Sequence, residues 1–309
     1  MKLVLAPMQD VTDLAFMRTL QRIGSLPDTF ITAYFRSTST TCALSEFNLR
    51  CIDENETGVP ILAQLAGSEA DALLRDAHML LGRPGVAGIN LNAGCPSPLV
   101  NRHGAGAGLL RDLPRFNDIL HALRAEIPTG LFSVKCRLGW ENAPTEFPRI
   151  LDLLSSAEPD EVGIHARTRR QLYGGEPDFS YVRTAVAGLN CPVLANGDIH
   201  TPEQATRCLK QTSAAGLMLG RGAVRNPYLF RQLRGGSPPT AKEMKMYYDI
   251  LIEETGRVFL NKRTEKGHCN RMKKYLAFCY PDFTPEQEYK LRRCISVDEM
   301  RRILLHGED

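Results

Sequence analysis

The sequence predicts an α/β chain, a single (β/α)8 TIM barrel followed by a C-terminal all-α helical bundle, and three observations carry that expectation. Eight short apolar runs alternate with amphipathic stretches over residues 1–234, as the βα units of a parallel sheet do. A Gly/Ser/Pro cluster, GGSPPT from Gly235, then breaks the pattern. Beyond it the apolar residues recur at helical spacing, as in Met244, Tyr247, Tyr248 and Leu251.

The apolar runs fall at residues 3–6, 29–33, 59–65, 86–91, 131–136, 161–164, 192–195 and 216–219. Between them, the stretches 68–81, 114–127 and 202–211 each open on a cap or proline signal and read as helices. Eight units within roughly 230 residues fit one closed barrel. The expected division is a barrel over 1–234, a linker over 235–239 and a helical domain over 240–309. With 309 residues and 43% hydrophobic content the chain can bury a full core, which excludes disorder as the default. The opening MKLVLAPMQD soon meets charge and reads as a first strand, not a signal peptide. No stretch approaches the ~18 uninterrupted apolar residues of a membrane helix, so a soluble cytoplasmic protein is expected. The nine cysteines are odd in number and form no CxxC pair, which argues against a disulfide framework and a structural zinc site; no metal is expected. A net charge of +3 permits an anionic partner without demanding one.

A barrel of this kind places its site at the C-terminal ends of the strands, so the residues just past each run carry the information. They are Pro7 and Met8, Gln64, the turn from Asn92 to Pro96, Lys135 with Arg137, His165 with Arg167, Asn196-Gly197-Asp198, and Gly220-Arg221-Gly222. The last two groups follow strands seven and eight, the recurrent phosphate site of the fold. Their glycines let backbone N–H groups approach an anion, and Arg221 can pair with it. A sugar phosphate, a nicotinamide nucleotide or a flavin would satisfy that site. The Gly-rich run from His103 to Gly108 lacks the dinucleotide spacing, so a Rossmann reading fails. Lys135 would aim a fixed positive charge at the barrel mouth, suited to the negative charge a reduced isoalloxazine gathers. Cys95 lies between Gly94 and Pro96 outside any apolar run, the one cysteine placed for chemistry. A thiol with an ordinary pKa near ~8.5 stays protonated at neutral pH and can act as a general acid. A nucleophilic role would need a base; His103, nearby, reads instead as a solvated loop residue.

Taken in order, these strand-end segments resemble the tRNA-dihydrouridine synthase family. They are LAPMQDVTD from Leu5, QLAG from Gln64, LNAGCPSP from Leu91, VKCRLGW from Val134, HARTRRQLYGGEPDF from His165, LANGDIH from Leu194 and LGRGAVRNP from Leu219. The likeness runs on into the tail, where RMKKYL from Arg271 is similar to a helix of the family's tRNA-binding domain. The loop 100–106 and the opening 3–11 look closest to the bacterial C-type branch, which acts on the D-loop. Two positions depart from the family pattern: Asn90 stands for an acidic residue and Phe179 for a tryptophan, neither a reacting group.

The resemblance implies that Pro7, Met8, Gln64, Lys135, His165, Asn196, Gly197, Asp198, Gly220 and Arg221 bind a tightly held FMN. It implies that Asn92 and Arg167 face the target uracil and that Cys95 is the proton donor. NADPH would reduce the FMN, which would pass hydride to uracil C6 of a D-loop uridine, position 16, while Cys95 protonates C5. The base would have to be flipped out of its stack to reach the mouth. Contacts to tRNA would come from a basic cluster of Lys262, Arg263, Lys266, Arg271, Lys273 and Lys274, extended by Arg36, Arg169 and Arg170 at the mouth. No obligate protein partner is implied, and a monomer is expected. Three other readings stay open at this point: an FMN barrel reductase acting on a free pyrimidine or enoate, a flavin-free sugar-phosphate barrel, and a non-catalytic RNA-binding protein that has kept the fold, against which the intact Cys95 loop argues.

Overall fold

The computed structural model describes residues 1–40, 44–259 and 264–306. Nine strands form one parallel sheet: β1 (Lys2–Leu5), β2 (Thr29–Ile31), β3 (Phe35–Arg36), β4 (Ile61–Ala66), β5 (Val86–Ala93), β6 (Phe132–Arg137), β7 (Glu161–His165), β8 (Val193–Asn196) and β9 (Gly216–Leu219). Pairing of β1 with β9 at one side and of β2 with both β1 and β4 at the other closes eight of them into a barrel. The ninth, β3, is a two-residue extension that pairs only with β4. The sequence suggests one run over 29–33, and the structure interrupts it. Thr32 still donates its backbone N–H to Leu62, but its hydroxyl accepts the N–H of Gln64, so a side chain replaces a rung of the ladder. The chain then bends at Ala33 before β3 resumes.

The strand residues are apolar on both faces because both faces are covered. Val4, Ala6, Ile31, Leu194 and Met218 fill the interior, and a larger cluster packs the outer faces against the helices. Gly163 shows how tight the interior is: a Cβ there would lie 2.5 Å from the Met218 methyl. Helices over Ala70–Leu81, Leu113–Glu126 and Pro202–Thr212 match the three expected from the sequence within two residues at each end. The last has a capping box, with Thr201 and Gln204 satisfying each other's backbone N–H groups. No helix among the described residues is long and apolar enough to cross a membrane.

Four longer helices follow the barrel, Ala241–Phe259, Glu265–Leu276, Pro285–Arg293 and Val297–His306. The first packs along the barrel helix Leu14–Arg22, where Arg22 pairs with Glu253 at 2.7 Å and Glu254 at 2.8 Å. The second docks through Arg271, and here the structure corrects the surface reading of that residue. Arg271 is only 5% exposed; its guanidinium pairs with Asp13 and, at 3.4 Å, with Asp10, and it lies over the Phe259 ring at 4.4 Å. Asp13 also accepts the Tyr275 hydroxyl at 2.5 Å and caps Leu14–Arg22. An arginine so enclosed has no free face for an RNA phosphate; its charge is spent on holding the tail to the barrel. Lys262 and Arg263 lie outside the described residues.

Removing one partner of a buried ion pair leaves the other charge buried and unpaired, which costs about 3–5 kcal/mol. Arg271→Ala is therefore expected to lower the unfolding free energy by that amount in a urea titration. Lys274→Ala, which removes an exposed ion pair to Asp10, should change it by under about 1 kcal/mol. An Arg271→Ala protein as stable as the Lys274→Ala one would remove the pair from any structural role.

Candidate active site

At the C-terminal ends of the strands the barrel opens into a cavity of about 460 Å³. From the last residues of β1, β5 and β6 or the loops after them come Pro7, Met8, Asn92, Cys95, Lys135 and Arg137; from those of β7, β8 and β9 come His165, Asn196, Gly197, Asp198, Gly220 and Arg221. Twelve side chains or backbone positions singled out on the sequence thus meet in one space.

The Cys95 turn is pinned from two sides. Asn92 Oδ1 accepts the N–H of Gly94 at 3.1 Å and of Cys95 at 2.9 Å. On the far side Cys95 O accepts Asn101 Nδ2 at 2.8 Å and the Ala107 N–H at 3.0 Å. The chain returns this closely because Gly106 has φ +60° and no Cβ, which would otherwise sit 3.0 Å from Cys95 O. Burial pushes the Cys95 thiol above its ordinary pKa, and this outweighs the Ser97 N–H and the Lys135 and Arg137 charges that favour thiolate. The group is therefore a protonated thiol at neutral pH, able to give a proton.

Gln64 does not line the cavity. Its amide is used inside the barrel, where Oε1 accepts Asn92 Nδ2 at 2.9 Å and Nε2 donates to Asn90 Oδ1 at 2.7 Å. Asn90 in turn donates to Ser133 Oγ at 2.8 Å. Asn92 likewise has its amide committed at both ends, so in this structure it holds the cysteine turn. Arg167 is also placed away from the mouth. Fully buried, it donates to the carbonyls of Gly174 and Gly175 and pairs with Asp198. Neither of its ends is open to a base, and the expected contact with uracil gives way to bracing of Asp198. Arg36 is exposed at the end of β3 and lines a separate side groove.

Electrostatics of the mouth are strongly positive. Burial and the neighbouring Arg137 charge bring the Lys135 ammonium down to about 8, and burial brings Arg137 down to about 10. His165 is held neutral, first by burial and then by the surrounding cations. The carboxylate among them, Asp198, bridges Arg167 and Arg221 and is kept ionised by them against its own burial. Arg221 also lies 4.4 Å over the Tyr173 ring. Gly222 admits no side chain at all, since a Cβ would fall 2.0 Å from Ile199 O. His200 adds to the cavity wall a buried Nδ1 that has no hydrogen-bond partner among the described residues.

Sequence reasoning missed Tyr34, His200 and Phe278, all lining the cavity. His200 lies two residues past Asp198 and could have been found by extending that loop. Tyr34 and Phe278 carried no local signal, because Phe278 reaches the barrel only through docking of the tail.

The dihydrouridine synthase family model matches residues 4–301. A tRNA-dihydrouridine synthase B of Pseudomonas putida is 32% identical, over 81% of this chain and 74% of its own length. tRNA-dihydrouridine(16) synthases of Yersinia pestis and Vibrio parahaemolyticus are 30% and 29% identical, over 92% and 99% of this chain and 91% and 95% of theirs. Among solved structures, the old yellow enzyme homologue of Zymomonas mobilis has the same fold at a TM-score of 0.55, 14% identity, 80% coverage of this chain and 92% of its own. With the barrel, the pinned cysteine turn and the ordered strand-end motifs in place, the match over nearly the whole length means that this chain belongs to the dihydrouridine synthase family.

Proposed function

We propose that this protein reduces a uridine of tRNA to dihydrouridine with FMN and NADPH, and that Cys95 gives the proton. The observation that carries the reading is a protonated thiol held rigidly beside a cationic cavity of cofactor size. The residues present suit FMN. The Asn196-Gly197 and Gly220-Arg221-Gly222 turns would hold its phosphate, Lys135 would set a positive charge against the ring system, and His200 Nδ1, without a hydrogen-bond partner among the described residues, offers a further polar contact. Bound there and reduced by NADPH, the flavin would supply the hydride to uracil C6. Cys95 would deliver its proton to C5, completing a two-electron reduction of the C5=C6 bond. Its own thiolate, once formed, faces Lys135 and Arg137, whose charges stabilise it.

The target is a base flipped out of the tRNA into the mouth. Support for position 16 comes from the relatives that align over nearly their whole length with the helical tail included, which carry that specificity in their names. Exposed Lys266 and half-buried Lys273 on the helix Glu265–Leu276, with exposed Arg170 in the loop after β7, are the cations offered to RNA phosphates. The eight described cysteines are all free, as in a reducing cytoplasm, and nothing in the proposal needs a second subunit.

Cys95→Ala should purify yellow and be reduced by NADPH at the wild-type rate, yet form dihydrouridine 10²–10⁴-fold more slowly, on the order expected for loss of a general acid. Full activity in that variant would sink the assignment. Because burial raises the Cys95 pKa, the acid form persists through neutral pH and is lost only as pH climbs past the ordinary thiol range. The tRNA half-reaction should therefore be level through neutrality and decline at alkaline pH; a rise there would identify a thiolate mechanism. Lys266→Ala with Lys273→Ala should weaken tRNA binding and reduce the slope of log affinity against log salt by about 2. A salt titration identical to wild type would take the tail out of the interface.

A further inference from the structure

A second cavity, about 360 Å³, lies beside the first and shares Tyr34 with it as a common wall. The function proposed above gives it no role. On one side it is bounded by the chain after β3, on the other by the turn after β4 and the short helix Pro98–Asn101. It therefore starts within one side chain of the reacting centre and runs outward across the barrel rim.

Its walls combine three kinds of group. Leu99, exposed, and Val100 give it an apolar face. Arg36 gives it a cation that has no ion pair among the described residues, while its carboxylate, Glu69, receives the Ser39 hydroxyl at 3.4 Å. Between them Ser37 is 3% exposed, and its buried Oγ has no hydrogen-bond partner among the described residues. A buried hydroxyl without a partner is costly unless a ligand completes it. Its position is also fixed. The Ser37 N–H is held by Ala66 O at 2.9 Å, and Arg75 donates to the next carbonyl, Thr38 O, at 3.2 Å. Gly67 lets the two loops meet, since a Cβ there would lie 2.8 Å from Ser37 O.

We infer that this groove holds the nucleotide next to the target uridine in the RNA strand. This rests on the proposed action on tRNA and adds a second subsite to it. When one base is flipped into the mouth, its neighbours must follow the backbone over the rim. A flanking nucleotide carries what the walls would recognise: a flat apolar face for Leu99 and Val100, N–H donors for Glu69, a phosphate for Arg36, and a base-edge or ribose oxygen for the Ser37 hydroxyl. A polyanion without a base would meet Glu69 and find no use for the apolar wall.

The test uses the full-length, flavin-loaded protein and undermodified tRNA transcripts in which the nucleotide on either side of the target is intact or abasic. Affinity is read by fluorescence anisotropy, dihydrouridine formation by single-turnover assay, and flavin reduction by NADPH separately. Ser37→Ala removes the hydroxyl with little change in shape, and Leu99→Asp spoils the apolar wall at an exposed position. Each is expected to weaken binding of the intact transcript about tenfold, the worth of one hydrogen bond or apolar contact. With the abasic transcript the wild type should lose a similar factor and the variants little more, while flavin reduction by NADPH stays unchanged. Wild-type indifference to both abasic sites, or variants that bind the intact transcript normally, would overturn the inference. So would variants slowed in flavin reduction alone, which would give the groove to the nicotinamide dinucleotide. Binding that shows the flanking-base effect without dihydrouridine would uphold the groove and defeat the reaction proposed above.

Discussion

Asn92 Oδ1 receives two consecutive backbone N–H groups, and the geometry of the reacting end of the barrel depends on that carboxamide staying in one orientation. An asparagine can do this only if its other end is also fixed, and Gln64 fixes it, with Asn90 and Ser133 continuing the line across three strands. Every link is neutral. A carboxylate at position 90 would add a charge to an interior that already holds Lys135 and Arg137, and would accept but not donate to Ser133. The amide at this position keeps the line directional while leaving the cations of the mouth uncompensated. The departure at Asn90 thus costs no reacting group and makes the support of Cys95 independent of pH.

Those uncompensated cations are expensive. Lys135 and Arg137 are both pulled below their ordinary pKa values by burial, and His165 is kept neutral among them. A fold does not gather such groups for stability, since each is desolvated and repelled by the next. Set around an open cavity, the arrangement suits an anionic ligand. Asp198 limits the cost at one corner by bridging Arg167 and Arg221, which also keeps Arg221 oriented over Tyr173.

Much of this was legible in the sequence because it is local. Barrel strands announce themselves as apolar runs between turn signals, and each loop that follows puts its residues at the same end of the molecule, so the meeting of Lys135, Cys95 and Arg221 could be expected without coordinates. Direction within a loop was not legible. His165 and Arg167 are two residues apart, yet one lines the mouth and the other turns inward to Asp198, a choice made by carbonyls at Gly174 and Gly175. Arg271 was misread for a different reason. Its neighbours His268, Cys269, Met272 and Tyr275 form the buried stripe of the helix, and an arginine inside that stripe faces the barrel whatever its charge suggests. Tyr34 and Phe278 depend on how the β2–β3 kink and the tail settle on the barrel, which no short window of sequence encodes.

The buried Arg271 changes what the tail can be. A tail bound only by exposed ion pairs could pivot on the barrel. Here Arg271 joins Asp13, at the cap of the first barrel helix, to Asp10, in the loop that carries Met8 and Gln9 into the mouth. Lys274 holds Asp10 from outside, and Phe278, two residues past the end of the same helix, forms part of the cavity wall. Asp10 itself has φ +63°, a conformation unfavourable for a residue with a side chain and kept in place by these partners. The helix that offers Lys266 and Lys273 to solvent therefore also shapes the reacting end of the barrel.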